Sequence, residues 1–225
     1  MATLLLVRHG QASYGHADYD KLSPLGFEQA RLVGTLLATQ QIDALFCGPL
    51  RRQVETAAAL RETASAIPPA TVHPGFAEYP GFEMAKAFLP RLEPELALSE
   101  PTALGERGFQ TILTGWARDE WRDDAVEHVH AFTARVTAAL ETIIRSLASG
   151  GRVAIVTSAG PIGVAVGLVF GATPHHMVRT SAVIKNASIT ELQLRTRDFA
   201  WAPDKISLVG FNSIAHLPAN KHTEL

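Results

Sequence analysis

The chain has 225 residues, of which 47% are apolar and 19% are charged, a composition typical of a folded globular protein rather than a disordered chain. Twenty Lys and Arg residues nearly balance 22 Asp and Glu residues, giving a formal net charge of -2. The molecule as a whole therefore has no field that would attract nucleic acid or an anionic membrane, and any anion site must be local.

Short β-rich runs alternate with longer runs of helical period, which is the pattern of a mostly parallel sheet covered by helices. Strands are predicted over residues 3–7, 42–46, 70–73, 152–157, 188–194 and 206–211. We therefore expect one α/β domain over residues 1–225, with three α/β/α layers and a mixed, mainly parallel sheet.

The first helix is predicted from Ser23-Pro24 to about residue 39, because a hydroxyl can cap a helix and proline fits its opening turn. A second helix should begin at Pro49, a third should span 129–149, and a fourth should follow Pro161. Residues 74–124 mix Pro, Gly, Glu and aromatic residues without a sustained period, so we expect an insertion that lies over one edge of the sheet and selects substrate.

The uncharged stretch 153–171 carries Gly163 and Gly167 at a spacing found in membrane helices. Gly160-Pro161 interrupts it, however, so a buried strand followed by a closely packed helix is the better interpretation. The single cysteine, Cys47, and the lack of a secretory signal pattern favour a cytoplasmic location.

Polar groups follow three of the predicted strands: Arg8-His9-Gly10, then Pro49 to Arg52, then Thr157 to Gly160. The carboxyl ends of parallel strands share one edge of a sheet, where ligands of α/β proteins bind. Helices that start there also direct free N–H groups at that edge, which favours a bound anion such as phosphate.

Phosphoryl transfer needs a nucleophile, fixed positive charge and a proton donor, and the chain offers a candidate for each. A neutral His9 can attack phosphorus and form a phosphohistidine. Arg8 and Arg52 can bind the phosphoryl oxygens with bidentate guanidinium groups. Glu78, in the sequence FAEYPGF, is the candidate acid.

The first of these segments, LLLVRHGQAS, resembles the signature of the histidine phosphatase superfamily, which also contains the cofactor-dependent phosphoglycerate mutases. LSPLGFEQA, GPLRRQVETA, NASIT and NSIAHL resemble further segments of that family, so the similarity touches most of the chain except the insertion. The resemblance implies a phosphoglycerate mutase-like fold, with His9 as the phosphorylated nucleophile, Arg8 and Arg52 as phosphate ligands, and Glu78 as the proton donor.

One position departs from the family pattern. The family normally carries a second histidine in a Ser-His-Gly turn, whereas Ser158 occupies that position here. A hydroxyl brings no charge, and neutral hydrogen bonds are roughly half as strong as charge-assisted ones. Transfer should therefore be slower by about one to a few powers of ten unless another group compensates.

Several assignments leave alternatives open. Glu83 competes with Glu78 as the acid, because the family places its acid before a Trp-Glu-Gly sequence that this chain lacks. Gln11 and Ser13 follow the histidine motif closely enough to touch a substrate, and Arg51 is expected to be a solvated helix residue. A mutase is disfavoured relative to a phosphatase, since Gly15 stands where many members have asparagine and the insertion lacks paired basic residues.

We predict neither a metal nor a cofactor. The pairs His128/His130 and His175/His176 have no third ligand at metal-site spacing, and the second pair is expected in a loop. The predicted activity is metal-independent hydrolysis of a small phosphomonoester. The alternatives are a catalytically weakened phosphoryl-binding protein of the same fold and, less favoured, a phosphoglycerate-type mutase. The sequence specifies neither the natural substrate nor an oligomeric state.

Overall fold

The computed structural model describes residues 1–13, 18–92, 106–202 and 204–224. Its strands are β1 (Ala2–Arg8), β2 (Ala44–Cys47), β3 (Thr71–Val72), β4 (Arg152–Thr157), β5 (Ile189–Leu194) and β6 (Ile206–Ser213). Its α-helices are α1 (Pro24–Leu37), α2 (Arg51–Thr63), α3 (Gly81–Leu92), α4 (Glu106–Ala117), α5 (Val129–Ser146), α6 (Ala159–Phe170) and α7 (Pro174–Ser181). Two short 3-10 helices span Pro74–Phe76 and Ala219–Lys221.

The six strands form one sheet in the order β3-β2-β4-β1-β5-β6. The β3-β2, β2-β4 and β4-β1 pairs are parallel, whereas β1-β5 and β5-β6 are antiparallel. The predicted mixed, mainly parallel sheet is thus confirmed. The predicted strand 152–157 agrees with β4 at both ends, and the predicted strand 70–73 shortens to two residues at the edge.

Alternate residues of β1 face opposite sides of the sheet. Leu5 and Val7 pack in a cluster with residues of α1 and α2, while Leu4 and Leu6 pack in a second cluster with residues of α3 to α6. Burial of one such side chain contributes about 1.5–3 kcal/mol, so two covered faces explain why residues 4–7 of β1 are all apolar. The result is the three-layer arrangement expected from the sequence.

Local sequence signals set several helix ends. The Ser23 hydroxyl accepts a hydrogen bond from Gly26 N at the start of α1, as predicted. The glycines of α6 allow α7 to pack closely, because a Cβ at Gly163 would lie 2.3 Å from Met177 O and one at Gly167 would lie 2.3 Å from Met177 Cγ. No helix among the described residues combines the length and apolarity that a membrane span needs.

The region 74–124 contains more regular structure than its composition indicated. It includes α3 and α4, and Met84, Phe88 and Trp116 of these helices are almost fully buried against the α5 residue Phe132 and its neighbours. Pro90 within α3 hides the helical period in the sequence. Residues 93–105 of the predicted insertion lie outside the described residues.

The expected loop at His175-His176 is wrong, because both residues belong to α7. Thr173 caps this helix by accepting a hydrogen bond from His176 N, and Pro174 occupies its first turn. Eight residues are too few to show a helical period clearly, so the cap and proline were the usable signals.

Candidate active site

The three predicted polar junctions meet at one edge of the sheet because β2, β4 and β1 are neighbours. His9 N, just after β1, donates to Thr157 O at the end of β4 over 2.8 Å. Gly48 N, just after β2, donates to Val156 O over 3.0 Å. Backbone hydrogen bonds thus hold the starts of the following loops and helices side by side.

The His9 imidazole contacts groups on both of its nitrogens. Nδ1 lies 2.7 Å from Gly10 O, and Arg52 Nε donates to Nε2 over 3.1 Å. A carbonyl can only accept and a guanidinium can only donate, so the proton of a neutral ring belongs on Nδ1 and the lone pair on Nε2. The side chains at positions 9 and 52, distant in sequence, therefore meet as the sequence hypothesis requires.

Burial and two cations keep the His9 ring neutral. The residue is 5% exposed, and burial, followed by the charges of Arg52 and Arg8, holds the pKa of His9 well below its usual value of 6.5. A neutral imidazole with its Nε2 lone pair directed at an arginine can act as a nucleophile once an anion draws that arginine away.

Arg52, the second residue of α2, is anchored by Asp20 and Tyr19 in the loop before α1. Its Nη1 donates to Asp20 Oδ1 over 2.5 Å, and its guanidinium lies 5.7 Å from the Tyr19 ring centroid. Asp20 Oδ2 also accepts from Arg51 N, over 2.8 Å. Because Nη1 is hydrogen-bonded to Asp20, the Nε side of the Arg52 guanidinium is directed toward His9.

Arg8, the last residue of β1, is fastened by the backbone instead. Its Nη1 donates to Ile184 O and, over 2.8 Å, to Glu224 O. Its Nε is buried and makes no hydrogen bond within the part of the chain that the structure describes. Burial lowers the pKa of Arg8, and the nearby Glu78 carboxylate opposes that effect. An unpaired buried guanidinium N–H is costly, so a bound anion at this edge would be stabilising.

Glu78 lies between the two arginines and the start of α6. Its Oε1 accepts from Tyr79 N and Gly160 N, each over 3.1 Å. Burial raises the pKa of Glu78, while Arg52, the Gly160 and Tyr79 N–H groups and Arg8 oppose the rise. A carboxyl group with a raised pKa beside a phosphate site is suited to donate a proton.

Three nearby side chains, those of Glu83, Arg51 and Cys47, are poorly placed or poorly suited for catalysis. Glu83 is exposed on α3, whereas Glu78 faces the arginines, so the geometry favours Glu78 as the acid. Arg51 is about half-exposed and pairs with Glu55 and Asp18, as expected for a solvated helix residue. Burial raises the pKa of the Cys47 thiol to about 11, which keeps it protonated and a poor nucleophile.

Ser158 is the N-cap residue of α6 and is fully buried. Its hydroxyl does not cap the helix but accepts from Gln53 Nε2 over 2.8 Å. The neighbouring Thr157 hydroxyl donates to Phe76 O over 2.9 Å. Ser158 therefore belongs to a buried polar network directly beside the His9 loop.

Gln11 and Ser13 contact the region before α1. Gln11 Oε1 accepts from the Ser23 hydroxyl over 2.8 Å, and the Ser13 hydroxyl donates to Leu22 O over 3.1 Å. Their role in substrate binding stays a prediction. Gly15 lies outside the described residues.

Sequence reasoning missed three residues that support the site: Asp20, Gln53 and Thr56. Thr56 Oγ1 accepts from Gly10 N over 3.0 Å and donates to Arg52 O over 2.7 Å, so it ties the His9 loop to α2. Asp20 lies in a polar loop that carries no pattern. Gln53 and Thr56 lie in the apolar stripe of α2, and two polar residues at buried helix positions were the available signal.

The described part of the chain contains no group of three or more His, Cys, Asp or Glu side chains that could hold a metal ion. The cationic groups at the site are the guanidinium groups of Arg8 and Arg52.

Comparison with protein families identifies the superfamily of this chain. The profile of the histidine phosphatase superfamily (branch 1) matches residues 4–95 and 100–203. The chain belongs to the histidine phosphatase superfamily. A curated protein of Hydrogenobacter thermophilus named "Putative phosphoserine phosphatase 2" is 41% identical over 64 residues, which cover 25% of this chain and 31% of that protein.

Solved structures share the fold at low sequence identity. YhfR of Bacillus stearothermophilus aligns with a TM-score of 0.71 at 17% identity, covering 96% of this chain and 99% of its own. A mycobacterial glucosyl-3-phosphoglycerate phosphatase aligns with a TM-score of 0.66 at 21% identity, covering 94% and 98%. These matches confirm the phosphoglycerate mutase-like fold expected from the sequence.

Proposed function

We propose that this protein is a metal-independent phosphatase that hydrolyses small phosphomonoesters through a phosphohistidine on His9. The observation that carries the proposal is the His9 ring itself: its Nδ1 lies 2.7 Å from Gly10 O, and its Nε2 lies 3.1 Å from Arg52 Nε. The lowered pKa of His9 supports a neutral nucleophile at physiological pH. Membership of the superfamily and two similar proteins named as phosphatases add support.

In the first step the phosphate group of the substrate enters between Arg8 and Arg52. Arg52 Nε transfers its hydrogen bond from His9 Nε2 to a phosphoryl oxygen, which frees the lone pair. Nε2 attacks phosphorus, the bond from phosphorus to the leaving oxygen breaks, and protonated Glu78 gives its proton to that oxygen. The products are the free alcohol and a phosphohistidine.

In the second step water attacks the phosphohistidine. The Glu78 carboxylate accepts a proton from the water, the phosphorus–nitrogen bond breaks, and neutral His9 returns with inorganic phosphate as the product. Arg8 and Arg52 bind the charged oxygens throughout, where fixed donors stabilise the transition state without reorganisation.

The proposal is tested by trapping the intermediate. The protein is mixed with phosphorus-32-labelled 4-nitrophenyl phosphate, quenched within its first turnovers, and assayed for acid-labile, alkali-stable label. We expect label on the wild type and on Arg51→Ala, the neighbouring arginine outside the site, but not on His9→Asn. Turnover without label on His9, or label retained by His9→Asn, would contradict the proposal.

A second candidate is a phosphoryl-binding protein that turns over poorly. The uncharged Ser158 favours it, because the resemblance places a histidine at this position. Phosphate binding by calorimetry without label or turnover would support this candidate. A mutase would instead isomerise a phosphorylated hydroxy acid faster than it hydrolyses it, and product analysis by phosphorus NMR separates these outcomes.

A further inference from the structure

The buried side chain of Gln53 has a single allowed orientation. Gln53 is the third residue of α2 and is fully buried. Its Oε1 accepts from Leu50 N over 3.0 Å, and its Nε2 donates to Phe76 O over 3.0 Å and to Ser158 Oγ over 2.8 Å. Turning the amide over would set its oxygen against Phe76 O and its NH2 group against Leu50 N–H, so the acceptor and both donors are fixed.

This orientation determines what the Ser158 hydroxyl can do. A hydroxyl has one proton, and an oxygen that accepts from an amide keeps that proton for another partner. Within the described part of the chain, the bond from Gln53 is the hydrogen bond that Ser158 Oγ makes. Gln53 therefore prevents Ser158 from donating on the side that faces α2.

Ser158 lies beside the loop that carries His9. Ser158 directly follows Thr157, whose carbonyl accepts from His9 N over 2.8 Å. It also begins α6, whose Gly160 N–H group bonds to Glu78. A phosphoryl group on His9 would therefore be close to the start of α6, and no hydrogen bond among the described residues takes up the Ser158 hydroxyl proton.

We propose that Gln53 is a positioning residue that acts through Ser158. By donating to Ser158 Oγ it leaves the hydroxyl proton for a phosphoryl oxygen, and Ser158 serves as a neutral donor where the family resemblance places a histidine. The inference rests on the proposed function and extends it to a residue that never touches substrate. The rival explanation is that Gln53 merely fastens α2, the segment at Phe76 and α6 together.

A double-mutant cycle separates the two explanations. The proteins are the wild type, Gln53→Met, Ser158→Ala and the double variant, with kcat/KM for 4-nitrophenyl phosphate and the Kd of orthovanadate as readouts. We expect Ser158→Ala to lose about fivefold in both readouts, the cost of one neutral hydrogen bond, and Gln53→Met to lose a similar factor. The double variant should lose no more than Ser158→Ala alone, because both changes remove the same donor.

Gln53→Glu sharpens the test. A carboxyl group has at most one proton to donate, whereas the amide has two, so the variant side chain cannot donate to both Phe76 O and Ser158 Oγ and offers an oxygen that accepts the Ser158 proton. Gln53→Glu should therefore weaken vanadate binding at least as much as Ser158→Ala does. In the Ser158→Ala background the same change should have little further effect on vanadate binding. Thermal unfolding of each variant shows separately what Gln53 contributes to stability.

Two results would overturn the inference. Losses that multiply in the double variant would show that Gln53 acts independently of Ser158. Unchanged readouts in Ser158→Ala would also refute it, and this small substitution remains informative if the Gln53 variants fail to fold. Failure of the proposed function gives a different result, because the wild type would then form no phosphohistidine. If only this inference fails, the wild type still forms the phosphohistidine, and either the losses of the two single variants multiply or Ser158→Ala has no effect.

Discussion

Two arginines face the same histidine from different parts of the fold, and they are held in different ways. Arg8, at the end of β1, is fastened by the neutral carbonyls of Ile184 and Glu224. Arg52, at the start of α2, is fastened by the carboxylate of Asp20. The carbonyl anchors carry no net charge and so do not offset the charge of Arg8, whereas the Asp20 carboxylate offsets part of the charge of Arg52.

Because the two arginines are anchored differently, we expect them to have different roles in the proposed reaction. Arg8 keeps a buried N–H group that has no partner among the described residues, so we expect it mainly to supply binding energy for the phosphate. Arg52 donates a hydrogen bond to the proposed nucleophile, so we expect it to control when the His9 lone pair becomes free. The two arginines should therefore affect different measurements. Substitution of Arg8 should mainly weaken phosphate binding, whereas substitution of Arg52 should mainly lower the rate of reaction at His9.

The largest effect is expected at the arginine that touches the nucleophile. Arg52→Ala should lower kcat/KM for 4-nitrophenyl phosphate by about three powers of ten, since about two charge-assisted bonds of 1.5–3 kcal/mol each are lost. Arg51→Ala is the matched control, one residue away and paired with Asp18 and Glu55, and should retain activity. A loss below tenfold at Arg52 would contradict its place at the reacting atoms.

The pKa of Glu78 should depend on the charges of both arginines. Glu78→Gln should lower kcat/KM for an alkyl phosphate by about a hundredfold, in keeping with the loss of a general acid, and should remove the alkaline limb of the pH profile. Both arginines lower the pKa of Glu78, Arg52 more than Arg8. Removing either cation therefore raises that pKa, keeps the acid protonated to higher pH and moves the alkaline limb upward.

The direction in which the alkaline limb moves tests whether Glu78 is the general acid. The Arg8→Met variant should show the alkaline limb at higher pH than the wild type does. Glu83→Gln serves as the control for the acid, because its side chain is exposed on α3. An unchanged limb in Glu78→Gln, with a lost limb in Glu83→Gln, would transfer the role to Glu83.

Arg8 should show its effect mainly in anion binding. Inorganic phosphate at 100 times its Kd stabilises a protein by about 2.7 kcal/mol, and the wild type should show this rise in its free energy of unfolding. Arg8→Met, at the same phosphate concentration, should show less than about a third of it if the affinity falls fiftyfold or more. Equal stabilisation of both proteins would mean that the anion does not use Arg8.

The smallest effect is expected at the carboxylate behind Arg52. Asp20→Asn removes a negative charge beside the anion site and should tighten the Kd of phosphate by about two- to fivefold, the scale of a partly exposed ion pair. The shift should shrink as salt is added, because screening weakens such interactions. Weaker phosphate binding in this variant would show that Asp20 matters more for orienting Arg52 than for neutralising it.

The sequence was most informative where chemistry and local structure coincide. The Arg8-His9-Gly10 segment at the end of β1 needs no tertiary information to be recognised, and the Ser23-Pro24 start of α1 follows from capping alone. The insertion was the opposite case. Pro90 and the mixed composition concealed α3 and α4, whose stability comes from aromatic packing against α5 rather than from local propensity.

By itself, the sequence determined the fold class, the order of the main elements and the residue types that can handle a phosphoryl group. Only the tertiary structure decided that Arg52 reaches His9, that Asp20 holds Arg52, and that Gln53 reaches Ser158. The physical reason is that periodicity and capping are properties of neighbouring residues, whereas hydrogen bonds between distant segments depend on which strands become neighbours in the sheet.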